Sequence, residues 1–389
     1  MREAVIVSAV RTPVGRCRGV LAPVPAHILG ALTVKEAVKR AKIDPTEIED
    51  VIYGNLFNNE IANMARMVAL EAGLPIEVPG ITLDRQCATS LNSIYYAAIM
   101  IQVGHADIVV AGGVESDSRR SYVMEKPSAA YAVANPKFIT FQTSPQAIGD
   151  PSMGMTAENV AVKYNLKRQE LDEFALLSHQ KAARAWDAGY FNDQIIPVEV
   201  PHGKGKSLLV NKDESLRADL TLETLAKLPP AFKKNGIVTA GNSSPMNDGA
   251  GAMVIMEKSK AKAMGLEILA NFKGFTSVGV DPNIMGVGPI FATRKLLAKT
   301  GVKMEDIDLI ELNEAFAAQS IPCIRELSLN MDILNVNGGA IALGHPLAAS
   351  GVIVATKLVY EMKRRDAHLG LVSFCVGGGQ GASLLLTRE

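Results

Sequence analysis

The sequence lacks an excess of either charge, a Cys-x-x-Cys pair, clustered histidines and any apolar stretch of membrane-spanning length. Its 40 basic and 40 acidic residues balance and are spread along the chain. The basic stripe that accompanies nucleic-acid binding is therefore missing, and no nucleic-acid partner is expected. Any anionic ligand has to be held locally. No run approaches the roughly 20 apolar residues of a spanning helix, so no membrane partner is expected either. The apolar part of Met1 to Arg11 is far shorter than a signal h-region and is flanked by charge, so it reads as a first β-strand. Cysteines 17, 87, 323 and 375 have neither zinc-site nor disulfide spacing. They are expected as reduced thiols of a cytoplasmic protein, with no metal.

What is present is a chain of 389 residues, long enough for two or three domains around a sizeable core. Apolar strand-like runs alternate with amphipathic segments of helical length, which predicts an α/β architecture with largely parallel sheets. Two stretches look like copies. Helix, turn and strand at 32–54 recur at 291–313, and superposing Ile48 on Ile307 sets an offset of 259 residues. The strand ending in Gly112-Gly113 has a counterpart in the strand ending in Gly377-Gly378-Gly379. A duplicated half accounts for both. Between the copies, 118–247 is richer in proline, glycine and lysine and carries helices near 157–164 and 170–188, the texture of an inserted subdomain.

Four positions can carry chemistry. Cys87 follows a short strand and opens a helix whose apolar positions Leu91, Ile94, Ala98 and Ile101 run up to Gly104. At a helix N-terminus the free N–H groups favour thiolate over thiol; the plain alternative is a small buried cysteine. His345 sits in a turn fixed by Gly344 and Pro346, aimed to take a thiol proton or merely exposed. The 259-residue offset carries Cys87 to position 346, beside His345. Cys375 ends a strand just before a glycine nest where backbone N–H groups can converge on an oxyanion; it is either a proton shuttle or a packed core cysteine. Asn313, where a buried strand should end, either holds a water or carbonyl oxygen or caps a helix.

These segments resemble the thiolase family, over essentially the whole chain. The resemblance rests on Arg11-Thr12-Pro13-Val14-Gly15, the Cys87 segment, Gly112-Gly113-Val114-Glu115-Ser116, Met153-Gly154, Thr239-Ala240-Gly241-Asn242, Asn313-Glu314-Ala315-Phe316, Gly344-His345-Pro346 and Cys375 with its glycines. It implies a five-layered αβαβα core of two duplicated halves, 1–117 plus 248–270 and 271–389, with 118–247 as an inserted loop domain over coenzyme A, in a homodimer or homotetramer. By the same resemblance Cys87 takes the acyl group, His345 activates it, and Cys375 exchanges the proton at the α-carbon or on the leaving thiol. One oxyanion hole is formed by the N–H groups of Cys87 and Gly377, the other by His345 with a water held by Asn313. Met153, Phe232, Ala240, Ser244, Ala315 and Phe316 line the pantetheine channel, and Arg217 serves the nucleotide end.

The expected activity is an acyl-CoA:acetyl-CoA C-acyltransferase, most simply joining two acetyl units or cleaving acetoacetyl-CoA, with coenzyme A thioesters as substrates and no further cofactor. Ser152 stands where short-chain members of the family commonly carry histidine, Ala348 where glycine is common, and Ala88-Thr89-Ser90 departs from the usual residues after the nucleophile. These departures keep a degradative 3-ketoacyl-CoA thiolase for longer or substituted chains open. A non-catalytic acyl-CoA-binding subunit is the other alternative.

Overall fold

Apolar runs without alternation, such as 4–7 and 108–114, are stable only as strands covered on both faces. The computed structural model, which describes residues 2–127, 129, 137–203 and 205–389, places them that way. The first stretch is β1 (Ala4–Arg11), β2 (Gly15–Arg16), α1 (Ala26–Ala41), β3 (Asp50–Gly54), α2 (Met64–Glu71), β4 (Gly80–Leu83), α3 (Thr89–Gln102) and β5 (Ile108–Ser116). The intervening segment carries α4 (Met153–Lys163), α5 (Arg168–Asp187), β6 (Val198–Pro201), β7 (Ser207–Val210) and α6 (Leu222–Ala226). Then come β8 (Asn247–Glu257), α7 (Lys258–Ala263), β9 (Ala270–Gly279), α8 (Gly288–Thr300), β10 (Leu309–Leu312), α9 (Ala317–Leu327), α10 (Ala340–Leu343), α11 (Leu347–Arg365), β11 (Leu369–Val376) and β12 (Gln380–Thr387).

The main sheet runs β10-β11-β12-β9-β1-β8-β5-β3-β4, with β2 on β8. It is mixed, which corrects the expectation of largely parallel sheets. β3 lies parallel to β4 and β5, and β10 parallel to β11, but β1·β8, β5·β8, β11·β12 and β12·β9 are antiparallel. Apolar patterning reports that a strand is buried, not which way its neighbour runs.

The two halves meet where Val5 faces Asn271 and Ile6 faces Ala270. Alternate residues of β1 then enter different cores, as the two-residue side-chain period requires. Val5 and Val7 pack with Leu29, Val34 and Val68 of α1 and α2, whereas Ala4 and Ile6 join Leu91 and Ile94 of α3 and Val352 and Leu358 of α11. That inner cluster also takes Val372 and Phe374 of β11, while Leu371 and Leu385 pack outward with Ile290 and Leu296 of α8 and Cys323 of α9. Helices, sheet, helices, sheet, helices are the five layers.

The repeat is visible in the elements: the 259-residue offset carries Asp50, the start of β3, to Leu309, the start of β10, and Thr89, the start of α3, to the second residue of α11. The two inner helices approach closely because their contact is glycine. A Cβ on Gly351 would strike the backbone nitrogen of Leu91, and one on Gly113 would strike the carbonyl oxygen of Ala348. Ser90 completes the contact, its Oγ accepting the Val352 N–H at 2.9 Å.

The segment between the halves is tied down by charge and packing. Arg11, 1 % exposed, donates to both carboxylate oxygens of Asp213 at 2.7 and 3.0 Å and to Gln194 at 2.9 Å. Glu214 accepts the Arg16 and Val20 N–H groups. Ala157, Leu171 and Ala175 of α4 and α5 pack on Ala315, Phe316 and Ile321 in a cluster that includes Cys375. No helix among the described residues is long and apolar enough to cross a membrane.

Candidate active site

Cys87 lies in a short 3₁₀ turn, Gln86–Ala88, one step before α3. The turn is held on both sides. Asp84 accepts the Gln86 N–H at 2.7 Å, which offsets the left-handed backbone of Gln86 (φ 44°). Thr89 accepts the Arg85 N–H at 2.7 Å and donates to the Gln86 carbonyl at 2.7 Å. Thr89 and Ser90, which depart from the family pattern, thus fix the nucleophile turn and the α3·α11 contact.

The environment of the thiol reverses one expectation. Burial pushes Cys87 up to about 11, Asp84 and Glu115 push the same way, and the N–H groups of Gly377 and Cys87 only partly oppose them. Desolvation of a buried anion outweighs the favourable helix start. Cys87 therefore rests as a thiol. Cys375, in β11 opposite Gly381, is fully buried and pushed well up by burial and by the neighbouring Cys87. The Gly377 N–H donates to the Cys87 sulfur, so this backbone group already faces the reacting atom.

His345 is carried between α10 and α11. Gly344 (φ 107°) makes the bend, and the His345 N–H is caught by Asn247 Oδ1 at 2.8 Å. The ring's tautomer follows from its partners. Ser350 Oγ donates to the Pro346 carbonyl at 2.9 Å, so at 2.6 Å it accepts from Nδ1–H of His345. Nε2 is then the unprotonated nitrogen, and it receives the Asn313 amide N–H at 3.4 Å. Burial lowers His345 to about 4. A neutral imidazole with an unprotonated Nε2 is what a proton acceptor needs. Asn313 is anchored by its N–H to the Ser373 carbonyl at 2.9 Å, and its side-chain oxygen is buried without a hydrogen-bond partner among the described residues. It is not a helix cap, because α9 begins at Ala317 behind Phe316.

Ser350 was not singled out from sequence. Replacing it by alanine removes the acceptor that fixes the tautomer. Ser350→Ala is expected to lower kcat about a hundredfold with little change in KM, and Ser350→Thr to restore most of the loss. Steady-state rates of the two variants check this.

The remaining expected residues lie in α4, between β7 and β8, and between β10 and α9. Met153 starts α4 behind Ser152, whose hydroxyl caps the helix by accepting the Met155 N–H. Phe232 lies over Gly154 and meets Phe316 edge to face at 6.0 Å. Ser244 binds the Ala315 carbonyl through both its N–H and its hydroxyl, at 2.9 and 3.0 Å. Ala240 and the exposed Arg217 line a separate recess with Arg16, His179 and Ser215. His179, also missed from sequence, accepts the Arg217 N–H at Nδ1, and burial followed by Arg217 and Arg16 lowers it to about 4. The guanidinium groups give this recess the sign that suits phosphate. Among the described residues no group of three or more His, Cys, Asp or Glu side chains is placed to hold a metal ion.

Comparison with known proteins identifies the family. The family model for the thiolase N-terminal domain matches residues 4–259, and that for the thiolase C-terminal domain matches residues 266–388. An acetyl-CoA acetyltransferase of Pseudomonas aeruginosa is 46% identical, covering 100% of both chains. The crystal structure of the Bacillus anthracis acetyl-CoA acetyltransferase superposes with a TM-score of 0.95 at 42% identity, covering 100% of this chain and 99% of that one. Human mitochondrial 3-ketoacyl-CoA thiolase in complex with CoA gives a TM-score of 0.93 at 39% identity, covering 100% of this chain and 98% of that one.

Proposed function

We propose that this chain, which belongs to the thiolase family, is an acyl-CoA:acetyl-CoA C-acyltransferase whose first substrate pair is two molecules of acetyl-CoA, or acetoacetyl-CoA and CoA in reverse. The observation that carries the reading is the neutral, buried His345 with its Nε2 unprotonated, together with a Cys87 sulfur to which the Gly377 N–H already donates.

In the synthetic direction His345 Nε2 takes the Cys87 proton and the sulfur attacks the thioester carbon. The Cys87 and Gly377 N–H groups face the developing oxyanion. Collapse expels the CoA thiolate, which takes its proton from Cys375 and leaves acyl-Cys87 and a Cys375 thiolate. Cys375 then removes an α-proton from acetyl-CoA. The enolate oxygen is met by the protonated Nε2 of His345 and by a water that Asn313 holds, and the enolate carbon attacks the acyl group as Cys87 leaves with the proton returned by His345 Nε2. Ping-pong kinetics follow. The pantetheine arm runs along Met153, Phe232, Ser244, Ala315 and Phe316 toward Ala240, and Arg217 takes the nucleotide end.

A second reading is favoured by Ser152: a short hydroxyl spent on capping α4 leaves more room than a histidine would, and admits longer or substituted acyl groups. Thiolysis rates of the purified chain on 3-ketoacyl-CoA esters of increasing length decide between the two. Fastest cleavage of acetoacetyl-CoA supports the first, a maximum at longer chains the second, and no thiolysis of any ester overturns both in favour of a binding subunit.

Assembly into a homodimer or homotetramer is part of the proposal. The sheet ends at β4, an edge strand bearing the half-exposed Ile81, and Ile76, Tyr122, Met124, Phe138 and Phe141 also face outward. A cytoplasmic location suits a reaction that needs two reduced thiols.

A further inference from the structure

Glu115, the last but one residue of β5, is fully buried and has no part in the steps above. Its two oxygens are placed with care. Oε1 accepts the Phe57 N–H at 3.1 Å and Oε2 accepts the Ala348 N–H at 3.2 Å, and the Leu56 N–H adds a third contact. An ionised carboxyl is acceptor-only and satisfies all three donors; a protonated one must turn its O–H toward one of them.

The place of these contacts matters for the reaction. Ala348 is in the first turn of α11, three residues beyond His345, and the same turn carries Ser350, which fixes the ring. The carbonyl of Ala348 rests on Gly113, two residues before Glu115 on the same strand. β5 thus grips the start of α11 by steric contact and by hydrogen bond. The charge of Glu115 adds to the push that burial and Asp84 exert on the Cys87 thiol.

We propose that Glu115 is a positioning residue for the base, its carboxyl tying the Phe57 N–H of the loop after β3 to the Ala348 N–H and so fixing the first turn of α11 that aims His345. The inference rests on the proposed acyl transfer through Cys87. The groups that surround Glu115 are Asp117 beyond it on the same strand end, Cys87 on the turn before α3, and the uncharged Asn55 and Asn58 of the loop after β3. Asp248 of β8, bonded to Ser116 and Ser118, acts on Asp117 in turn. Burial, followed by Asp117, pushes Glu115 up to about 8 against the pull of its three amide donors. Its ionisation therefore falls in the range where the enzyme can be assayed, with the neutral form favoured below that value and the carboxylate above it.

Two variants separate charge from geometry. Glu115→Gln keeps the length but removes the charge and one acceptor. Glu115→Asp keeps the charge but is too short to bridge Phe57 and Ala348. The rate of Cys87 alkylation by iodoacetamide, followed by mass spectrometry across pH, reads the charge without requiring turnover. Glu115→Gln is expected to move the alkylation midpoint down by about one pH unit, and Glu115→Asp to leave it in place. Both are expected to lower kcat about tenfold, with KM within about threefold. Unchanged midpoints in both, together with kcat losses that track only the unfolded fraction seen in thermal melts, would overturn the proposal. If Glu115→Gln fails to fold, Glu115→Asp with wild-type kcat overturns it alone. Absence of thiolysis by the wild-type chain contradicts the acyl-transfer reading instead, and leaves the alkylation shift as a separate result.

Discussion

Cys87→Ser is expected to reduce thiolysis of acetoacetyl-CoA by about 10⁴-fold or more. The turn that carries the nucleophile is built from the Asp84 and Thr89 side chains rather than from the sulfur, so the variant should fold and bind CoA esters. What it loses is the reacting atom. A serine hydroxyl is a far weaker acid than a thiol, and burial that already pushes the Cys87 thiol up to about 11 penalises an alkoxide further. His345, lowered to about 4, is a weak base and can draw a proton only from a group whose anion is stabilised as it forms. The Gly377 N–H supplies that stabilisation to sulfur, and the loss should appear almost wholly in kcat. A variant with more than about one-hundredth of wild-type activity would remove Cys87 from the nucleophile's role.

Cys375→Ser is expected to divide the reaction in two. Acylation of Cys87 uses Cys375 only to protonate a CoA thiolate that is already a good leaving group, so it should slow by about tenfold at most, whereas carbon–carbon bond formation should fall by about 10³-fold, because it needs an α-proton removed. Cys375 is fully buried beside Cys87, and each thiolate would raise the other's cost of ionisation. The two sulfurs are therefore expected to be anionic in turn and never together. Cys87 is masked as a thioester when Cys375 acts, which removes the opposing charge. The measurement is the rate of acyl-Cys87 formation set against the rate of acetoacetyl-CoA synthesis. Equal losses in both would show that Cys375 serves the first step as much as the second.

Cys87, His345 and Cys375 were legible because each sits against glycine, proline or a strand end that leaves a local mark, and because the repeat offset relates two of them. The duplicated halves were legible for the same reason: β3 and β10, α3 and α11 keep the offset in the folded chain, whereas the five layers came only with the family resemblance. Strand direction was not. β1 pairs with β8 from the far end of the inserted segment, and nothing in either apolar run records that the partner is antiparallel. The protonation state of Cys87 was misread because a helix start can be seen in sequence and the depth of burial cannot. Glu115 and Ser350 lay inside segments already noted, yet their roles depend on contacts that only folding creates. Glu115 reaches Ala348 across 233 positions of sequence. His179 gave no signal at all, being one histidine on a helix until Arg217 and Arg16 close over it.

The account stands or falls on the acyl-Cys87 intermediate. Incubating the folded chain with acetyl-CoA and mapping the peptides by mass spectrometry tests it most directly. A single acetyl group on the Cys87 peptide, discharged on addition of free CoA and absent from Cys17, Cys323 and Cys375, is the predicted result. A fully folded protein that cleaves acetoacetyl-CoA while no acetyl group is found on Cys87 would contradict it.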